Sequence, residues 1–197
     1  MKEITQNPPA PYDPTAIYKE ILNSYPQERA TDTTAKGLLA ALAFYLDLYA
    51  LSPNEELLQQ VHTLMGYYEK SSQQNEGDYS FVNGKMGFLY AATRFAAITN
   101  SQDYLSRATT LLDDGLHNFI QSPYTNNSIA TGRAGCLLVL NDYRRVSKDE
   151  SVEKWITALL QKLIAQAQLS DKGVYWPDRF EPLNGLLDFQ HGNAGIG

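Results

Sequence analysis

The histidine best placed for chemistry in this 197-residue chain is His191, which directly precedes a pair of glycines. The last ten residues read DFQHGNAGIG, so Gly192 and Gly195 follow the histidine in a Gly-x-x-Gly step. Imidazole has an ordinary pKa near neutrality and can move protons at physiological pH. Glycine lets a substrate approach the backbone closely. We therefore predict that His191 is a catalytic proton-transfer residue, with room for substrate beside Gly192 and Gly195.

An irregular stretch before this motif, SDKGVYWPDRFEPLNGLLD, concentrates aromatic and charged side chains. Long loops in compact domains often bind ligands, but the stretch also fits a solvated connection with its own aromatic cluster. The earlier segments GDYSFVNG and SPYTNNSIATG precede glycine pairs in the same way, which predicts one common face. The candidate substrate-binding residues of the stretch are Tyr175, Trp176, Asp178 and Arg179.

Few other side chains could bind a metal or act as a nucleophile. Cys136 is the single cysteine, which excludes an internal disulfide and any zinc site that needs two thiolates from this chain. We predict that Cys136 is a small buried residue of a helix. His62 and His117 have no surrounding motif, and we expect structural roles for both. No metal ligands and no cofactor are therefore expected in this chain by itself.

Composition and charge limit the partners. The net charge of −6 argues against nucleic acid, because phosphate binding depends on clustered Lys and Arg. With 43% hydrophobic and 19% charged residues, the composition is that of a globular protein. The N-terminus lacks the apolar core of a secretion signal, and no run of about 18 apolar residues could span a membrane. These features predict a cytoplasmic protein with no membrane span.

The glycine pair before the C-terminus is the last of four similar segments. They begin at Gly37, Gly84, Gly132 and Gly192, at spacings of 47, 48 and 60 residues. Periods of this length are typical of stacked supersecondary units. Each unit consists of two predicted antiparallel helices joined by a short turn. The first helix is apolar nearly all round and should be enclosed, whereas the second is one-sided and should face water. In the third unit the predicted apolar stripe of the second helix consists of Val152, Trp155, Ile156, Leu159, Leu160, Leu163, Ile164 and Ala167.

An enclosed helix that alternates with a one-sided helix predicts an all-α fold in two layers. We interpret it as an α/α toroid of helical hairpins, here a partial toroid, with a solenoid as the alternative. Short extended pieces are possible at residues 79–81 and 174–176. Residues 1–32 form a predicted N-terminal arm and first helix, with Pro14 near its start, and residues 33–197 form the repeats.

The small residues that open each unit have two possible explanations. Glycine within a helix costs about 1 kcal/mol relative to alanine, so a benefit must offset it. One explanation is close packing between neighbouring hairpins. The other is a cavity surrounded by helix N-termini, whose free N–H groups favour anionic substrate groups. The pairs are Gly37 and Ala40, Gly84 and Gly87, Gly132 and Gly135, and Gly192 and Gly195.

Hairpin units that open with Gly-x-x-Gly, and a later copy that reads FQHGNAGIG, resemble the lanthionine synthetase C family (LanC-like proteins) from about residue 33 to the last residue. The family includes the cyclases of lanthipeptide biosynthesis, and the resemblance implies an α/α toroid. It also implies a zinc enzyme that adds a peptide cysteine thiolate to a dehydrated serine or threonine, forming a thioether ring. His191 would then move a proton at the enolate.

The resemblance also sets expectations for what lies outside this sequence. The family's zinc ligands, two cysteines and a histidine of later repeats, have no counterpart here. We therefore expect zinc only in a full-length protein, of which this chain is expected to be the N-terminal half. A peptide substrate and a dehydratase partner are implied as well.

One departure from the family leaves other functions open. Family cyclases place an aspartate shortly before the glycine pair of the preceding repeat, but this chain has Asn126, Asn127 and Ser128 there. Two alternatives are a carbohydrate-active α/α-toroid enzyme of glycosidase or uronyl hydrolase type and a non-catalytic peptide-binding scaffold. The carboxylates available to the carbohydrate enzyme are Asp178, Glu181 and Asp188.

Overall fold

The computed structural model describes residues 35–74, 76–171, 173–177 and 192–196. The chain separates into two compact units, Met1–Thr33 and Thr34–Gly197. The first unit lies outside the described residues, and so does the helix predicted near Pro14. All elements given below belong to the second unit.

The described part of the chain is almost entirely helical, which confirms the all-α prediction. A 3₁₀ turn, Glu150–Val152, leads into the last α-helix, and another, Asn193–Gly195, follows Gly192. Strands β1, Gln168–Ser170, and β2, Gly173–Tyr175, form a small antiparallel hairpin. The α-helices in the described residues are α1 (Ala35–Leu51), α2 (Glu55–Gln74), α3 (Lys85–Thr99), α4 (Asp103–Thr109), α5 (Asp114–Gln121), α6 (Arg133–Ser147) and α7 (Glu153–Gln166).

The helices pack in an inner and an outer set, in the order that the repeat predicts. Helix α3 contacts both α1 and α6, so successive glycine-bearing helices are neighbours. Outer helix α2 packs on α1 and α3, and α4 packs on α3. Helix α7 packs on α6 and on α5. Each inner helix is therefore covered by the outer helix that follows it in the chain.

Helices α3 and α6 have the same length and end in the same way. Both are 15 residues long, and both have a C-cap in the left-handed region, Asn100 (φ 59°) and Lys148 (φ 61°). The cap amides donate to Ala96 O and Arg144 O, which satisfies one orphan carbonyl of each last turn. The two inner helices are thus copies of one element.

Burial follows the predicted layers with one difference in α7. In α3 the buried residues cover most of the circumference, as an enclosed helix requires. In α7 the buried face contains Trp155, Leu159 and Leu163, as predicted. Leu160 and Ile164 belong to the predicted apolar stripe but are 43% and 71% exposed. They lie four residues, about one turn, apart at the exposed edge of the stripe.

In the repeat that begins at Gly84, the outer layer consists of two short helices, whereas a single outer helix was predicted. Helix α4 ends at Thr109 and α5 begins at Asp114, and Asp113 caps α5 by accepting a hydrogen bond from Gly115 N at 2.8 Å. Of the two predicted extended pieces, β2 is present. Residues 79 and 80 instead have no regular secondary structure, and a turn follows at residues 81–83; Asp78 accepts a hydrogen bond from Ser80 N just before it.

Candidate functional site

Helix α3 begins at a loop that folds back over its first turn; residues 78–87 are called the second junction. The Asp78 side chain accepts a hydrogen bond from Ser80 N at 2.8 Å. The Asp78 carbonyl accepts from Lys85 N at 2.9 Å, and the Ser80 carbonyl accepts from Gly84 N at 3.1 Å. The loop therefore satisfies amides at the start of the helix that a ligand would otherwise bind.

Residues 126–135, the third junction, repeat this arrangement at the start of α6. The Asn126 side chain accepts from Ser128 N at 3.0 Å, and the Asn126 carbonyl accepts from Arg133 N at 3.0 Å. The Ser128 carbonyl accepts from Gly132 N at 3.1 Å. Two copies of one loop thus share the same capping atoms, 48 residues apart in the chain.

Close packing explains the glycines of these two junctions. A Cβ on Gly84 would lie 2.7 Å from both Asp78 Oδ1 and Ser80 N, and a Cβ on Gly132 would lie 2.6 Å from Ser128 N. The obstructing atoms include backbone, which cannot move aside. Since helix-start amides are also bonded to the loops, the structure favours packing over an anion-binding cavity here.

Gly37 does not belong to this pattern. It lies inside α1, two residues after the helix begins, and a Cβ there would meet nothing within 4 Å. The pair formed by Gly37 and Ala40 is therefore a sequence likeness without the tight junction of the later units.

The second and third junctions lie side by side. Val82 N donates to Ala130 O at 3.0 Å, so the two loops are joined by a backbone hydrogen bond. A Cβ on Gly135 would lie 2.9 Å from the Cβ of Phe81. The two segments share one face, as the sequence predicts.

The fourth junction, of which the structure describes residues 192–196, preserves the same start. Gly192 has an extended backbone (φ −117°, ψ −171°), close to that of Gly84 (φ −109°, ψ −165°) and Gly132 (φ −124°, ψ −163°). Gly195 N donates to Gly192 O at 3.3 Å, as Gly87 N donates to Gly84 O at 3.1 Å. The repeat register therefore continues to Gly192 and Gly195.

The described part of the stretch before the fourth junction is tied to it. Trp176 N donates to Asn193 Oδ1 at 2.5 Å, and Trp176 Nε1 donates to Leu163 O at 2.7 Å. Tyr175 crosses the hairpin instead, because its hydroxyl donates to Gln168 Oε1 at 2.8 Å. The structure thus brings Trp176 to the fourth junction. The predicted site residues His191, Asp178 and Arg179 lie outside the described residues.

A buried lysine that sequence reasoning missed follows Gly84. The Lys85 ammonium lies 3.1 Å from Tyr79 Oη and 3.4 Å from Asp113 Oδ2, and the Tyr79 hydroxyl donates to Asp113. Burial by itself would raise the pKa of Asp113, but hydrogen bonds from Tyr79 and Gly115 N and the charge of Lys85 lower it overall. Burial, and then Asp113, raise the pKa of Tyr79. The cluster links the second junction to α5.

Arg133 holds the matching position after Gly132 and was missed as well. It is fully buried, and its guanidinium donates to the carbonyls of Ile120 at 2.7 Å and Ser122 at 2.5 Å. Burial lowers its pKa. Basic residues directly after the junction glycine, in GKMG and GRAG, are the sequence signal that could have revealed this shared position.

In the third junction, uncharged residues lie where the resemblance predicts an aspartate: Asn126, Asn127 and Ser128. Ser128 Oγ donates to Asn126 Oδ1 at 2.8 Å, and Asn126 Nδ2 donates to Thr131 Oγ1 at 2.9 Å. The corresponding residue of the second junction is a carboxylate, Asp78. The preceding repeat therefore has an acidic residue at the position that Asn126 occupies in the third junction.

The described residues do not offer a zinc site. No group of three His, Cys, Asp or Glu side chains among them could hold a metal ion. The Cys136 thiol is buried, donates to Tyr79 O at 3.1 Å and has its pKa raised by burial. His62 and His117 lie on exposed sides of outer helices, where His62 Nδ1 is 2.8 Å from Tyr104 Oη. The described residues therefore do not fit a zinc site of the cyclase type, which uses two cysteines and a histidine.

No described helix has the length and apolar character needed to cross a bilayer. No curated protein matches the sequence significantly. The family model described as lanthionine synthetase C-like protein matches residues 28–197, which include all the junctions. On this match and on the repeated glycine junctions, the chain belongs to the lanthionine synthetase C-like protein family.

Proposed function

We propose that this protein modifies peptides, as a relative of the thioether cyclases, and that His191 transfers a proton in the reaction. The observation that carries the proposal is the fourth junction. Gly192 has the backbone conformation of Gly84 and Gly132. In the sequence, the residue before it corresponds to Asn83 and Thr131 of the earlier units. In the fourth unit alone that residue is a histidine.

The proposed reaction adds a cysteine thiolate to a dehydrated serine or threonine. A bond forms between sulfur and the β-carbon while the carbon–carbon π pair moves toward the carbonyl and leaves an enolate. His191 delivers a proton to the α-carbon, so the proton lost by the thiol is replaced on carbon. General acid or base catalysis of this kind contributes about 10²- to 10⁴-fold.

The peptide would lie along the stretch that leads into the fourth junction. The hydrogen bond from Trp176 to Asn193 supports this location, since it brings Trp176 to the residue that follows Gly192. The residues proposed to contact the peptide are Tyr175, Trp176, Asp178, Arg179, Gly192 and Gly195.

Zinc belongs to the proposal only for the full-length protein, where it would lower the pKa of the peptide thiol. Its ligands would have to come from outside the described residues, since these lack a suitable group. A cytoplasmic location and a dehydratase partner that prepares the substrate belong to the same proposal.

The test is single-turnover cyclisation of a dehydrated peptide by the full-length protein, with zinc measured in parallel. We expect His191→Ala to slow ring closure by roughly 10² to 10⁴ while zinc content and melting temperature stay unchanged. His62→Ala is the matched control, because His62 is a surface histidine. An unchanged rate in His191→Ala would reduce His191 to a packing residue. Joint loss of zinc and activity would make it a ligand.

A non-catalytic peptide-binding scaffold is the second candidate, and a specific observation favours it. The third junction has the neutral network of Asn126, Ser128 and Thr131 at the place of the family aspartate. Peptide binding without turnover in the same assay would support the scaffold. The carboxylates of the carbohydrate-enzyme alternative lie outside the described residues, and no observation favours that function.

A further inference from the structure

The second and third junctions close with the same backbone hydrogen bonds but with different side chains. Gly84 N and Gly132 N each donate at 3.1 Å to the serine carbonyl four residues earlier. Lys85 N and Arg133 N each donate to the carbonyl seven residues earlier, at 2.9 and 3.0 Å. The backbone closure of the two copies is therefore matched, and a difference between them must come from their side chains.

In the third junction, three side chains link the two ends of the loop; Asn126, Ser128 and Thr131 are called the clasp. Asn126 Nδ2 donates to Thr131 Oγ1 at 2.9 Å, and Ser128 Oγ donates to Asn126 Oδ1 at 2.8 Å. Ser128 Oγ also lies 3.2 Å from Thr131 Oγ1 and accepts from Thr131 N at 3.2 Å. The loop cannot open without breaking these bonds in addition to those of the backbone.

The second junction has Asp78, Ser80 and Asn83 at the same three positions. Asp78 Oδ1 accepts from Ser80 N at 2.8 Å, and Ser80 Oγ accepts from Asn83 N at 3.4 Å, so two of the serine contacts recur. The link between the ends of the loop does not recur. Asn83 Oδ1 is buried and has no hydrogen-bond partner among the described residues, which costs stability where the Thr131 hydroxyl contributes it.

The other side-chain contacts of the two junctions do not offset this difference. Lys85 and Arg133 each donate to the side chain six residues earlier, Tyr79 at 3.1 Å and Asn127 at 3.0 Å. In the second junction, the Tyr68 hydroxyl of α2 also donates to one carbonyl of the loop at 3.1 Å. That bond holds the middle of the loop and leaves its two ends unlinked.

We infer that the second junction is a gate that opens locally, whereas the clasp keeps the third junction closed. Opening breaks the bonds from Gly84 N and Lys85 N and uncovers the first turn of α3, together with the half-buried Asp78 carboxylate. The two loops lie side by side, so the gate opens beside a fixed neighbour. Local opening of this kind requires less free energy than global unfolding and exposes groups that the closed fold covers.

Amide hydrogen exchange compares the two junctions within one molecule. The probes are the amides of Gly84 and Lys85 in the second junction and those of Gly132 and Arg133 in the third, whose acceptors correspond. After correction for intrinsic rates, we expect the second pair to exchange roughly 5- to 50-fold faster, because each net hydrogen bond of the clasp shifts the opening equilibrium by roughly 2- to 10-fold. Equal rates, or faster exchange of the third-junction pair, would overturn the inference.

Two reciprocal variants test the clasp itself. Thr131→Val keeps the shape of the side chain but removes its oxygen, so it should accelerate exchange in the third junction and leave the second unchanged. Asp78→Asn combined with Asn83→Thr rebuilds the clasp around Ser80 and should slow exchange in the second junction alone. Unchanged exchange of the third junction in Thr131→Val would refute the clasp. Equal changes at both junctions in either variant would show that they open only together, and would refute the gate.

Discussion

Gly132 packs against Asn126, six residues earlier, with no space between them for a side chain: a Cβ would press on the carbonyl and side-chain oxygens of Asn126. Gly84 has the same relationship to Asp78. These contacts let each loop close over the start of its inner helix and bond to it. They also place the residue before the glycine, Asn83 or Thr131, at the same point of both junctions.

Gly132→Ala should destabilise the protein by about 1–3 kcal/mol, because the added methyl meets Ser128 N at 2.6 Å and backbone cannot withdraw easily. The control is Gly66→Ala in α2, where a Cβ meets nothing within 4 Å. That substitution should stabilise by about 0.5–1 kcal/mol, since alanine is the better helix former. Urea unfolding of both variants measures the difference. Equal effects of the two substitutions would contradict the packing explanation.

The sequence predicts the layers well because its signals are local. The apolar stripe of α7 follows from helix geometry within one helix, and the glycine-led segments resemble one another whatever their spacing of 47, 48 or 60 residues, so each can be recognised without knowing which residues touch. The contacts between layers are different, since Lys85 meets Asp113 across 28 residues and across two layers. No sequence spacing rule predicts that contact, because it exists only once the layers have packed. The same is true of Asn193 and Trp176, whose contact depends on where α7 ends.

Arg133→Ala should be one of the most damaging substitutions in the described residues, at a cost on the order of 3 kcal/mol or more. The guanidinium donates to the carbonyls of Ile120 and Ser122 in a buried site, and its loss removes a donor from both oxygens, with only the longer bond from Thr125 N at 3.3 Å left to Ser122 O. Arg133→Lys should recover only part of the loss, because an ammonium lacks the planar fork.

The matched control for Arg133 is Arg145→Ala on the same helix. Arg145 is exposed and pairs with Asp142 at 2.8 Å, so we expect a change within about 0.5 kcal/mol. Chemical denaturation at neutral pH compares the two. A mild effect at Arg133 would mean that its contacts do not hold the third junction to the outer layer.

Asp113 should make the protein lose stability in acid. Its pKa is lower in the folded state than its ordinary value, so its carboxylate stabilises the fold above the unfolded pKa near about 4. That stabilisation is lost as the pH falls through the lower, folded pKa. The effect should be modest because the side chain is 52% exposed. Asp113→Asn should therefore be less stable than wild type at pH 7, with the difference narrowing toward pH 2.

Unfolding free energies of wild type and Asp113→Asn over that pH range test this prediction. Asp171→Asn, in the exposed turn of the β1–β2 hairpin, is the control and should follow wild type at every pH. A constant difference between wild type and Asp113→Asn at all pH values would show that the pair with Lys85 does not depend on the Asp113 charge.

Cys136 should be inert in the folded protein. Its thiol is buried, donates to Tyr79 O at 3.1 Å and has a raised pKa, so little thiolate forms at neutral pH. A thiol reagent that forms a mixed disulfide and releases a coloured product should modify Cys136 of the native protein only as fast as the structure opens locally. It should modify the urea-unfolded protein immediately. Gly132→Ala should accelerate the native reaction, because loosening the third junction exposes the start of α6, where Cys136 lies four residues after the glycine. Gly66→Ala should leave the rate unchanged. Rapid labelling of the native wild type would show that the thiol is accessible and that the junctions pack less tightly than their glycines require.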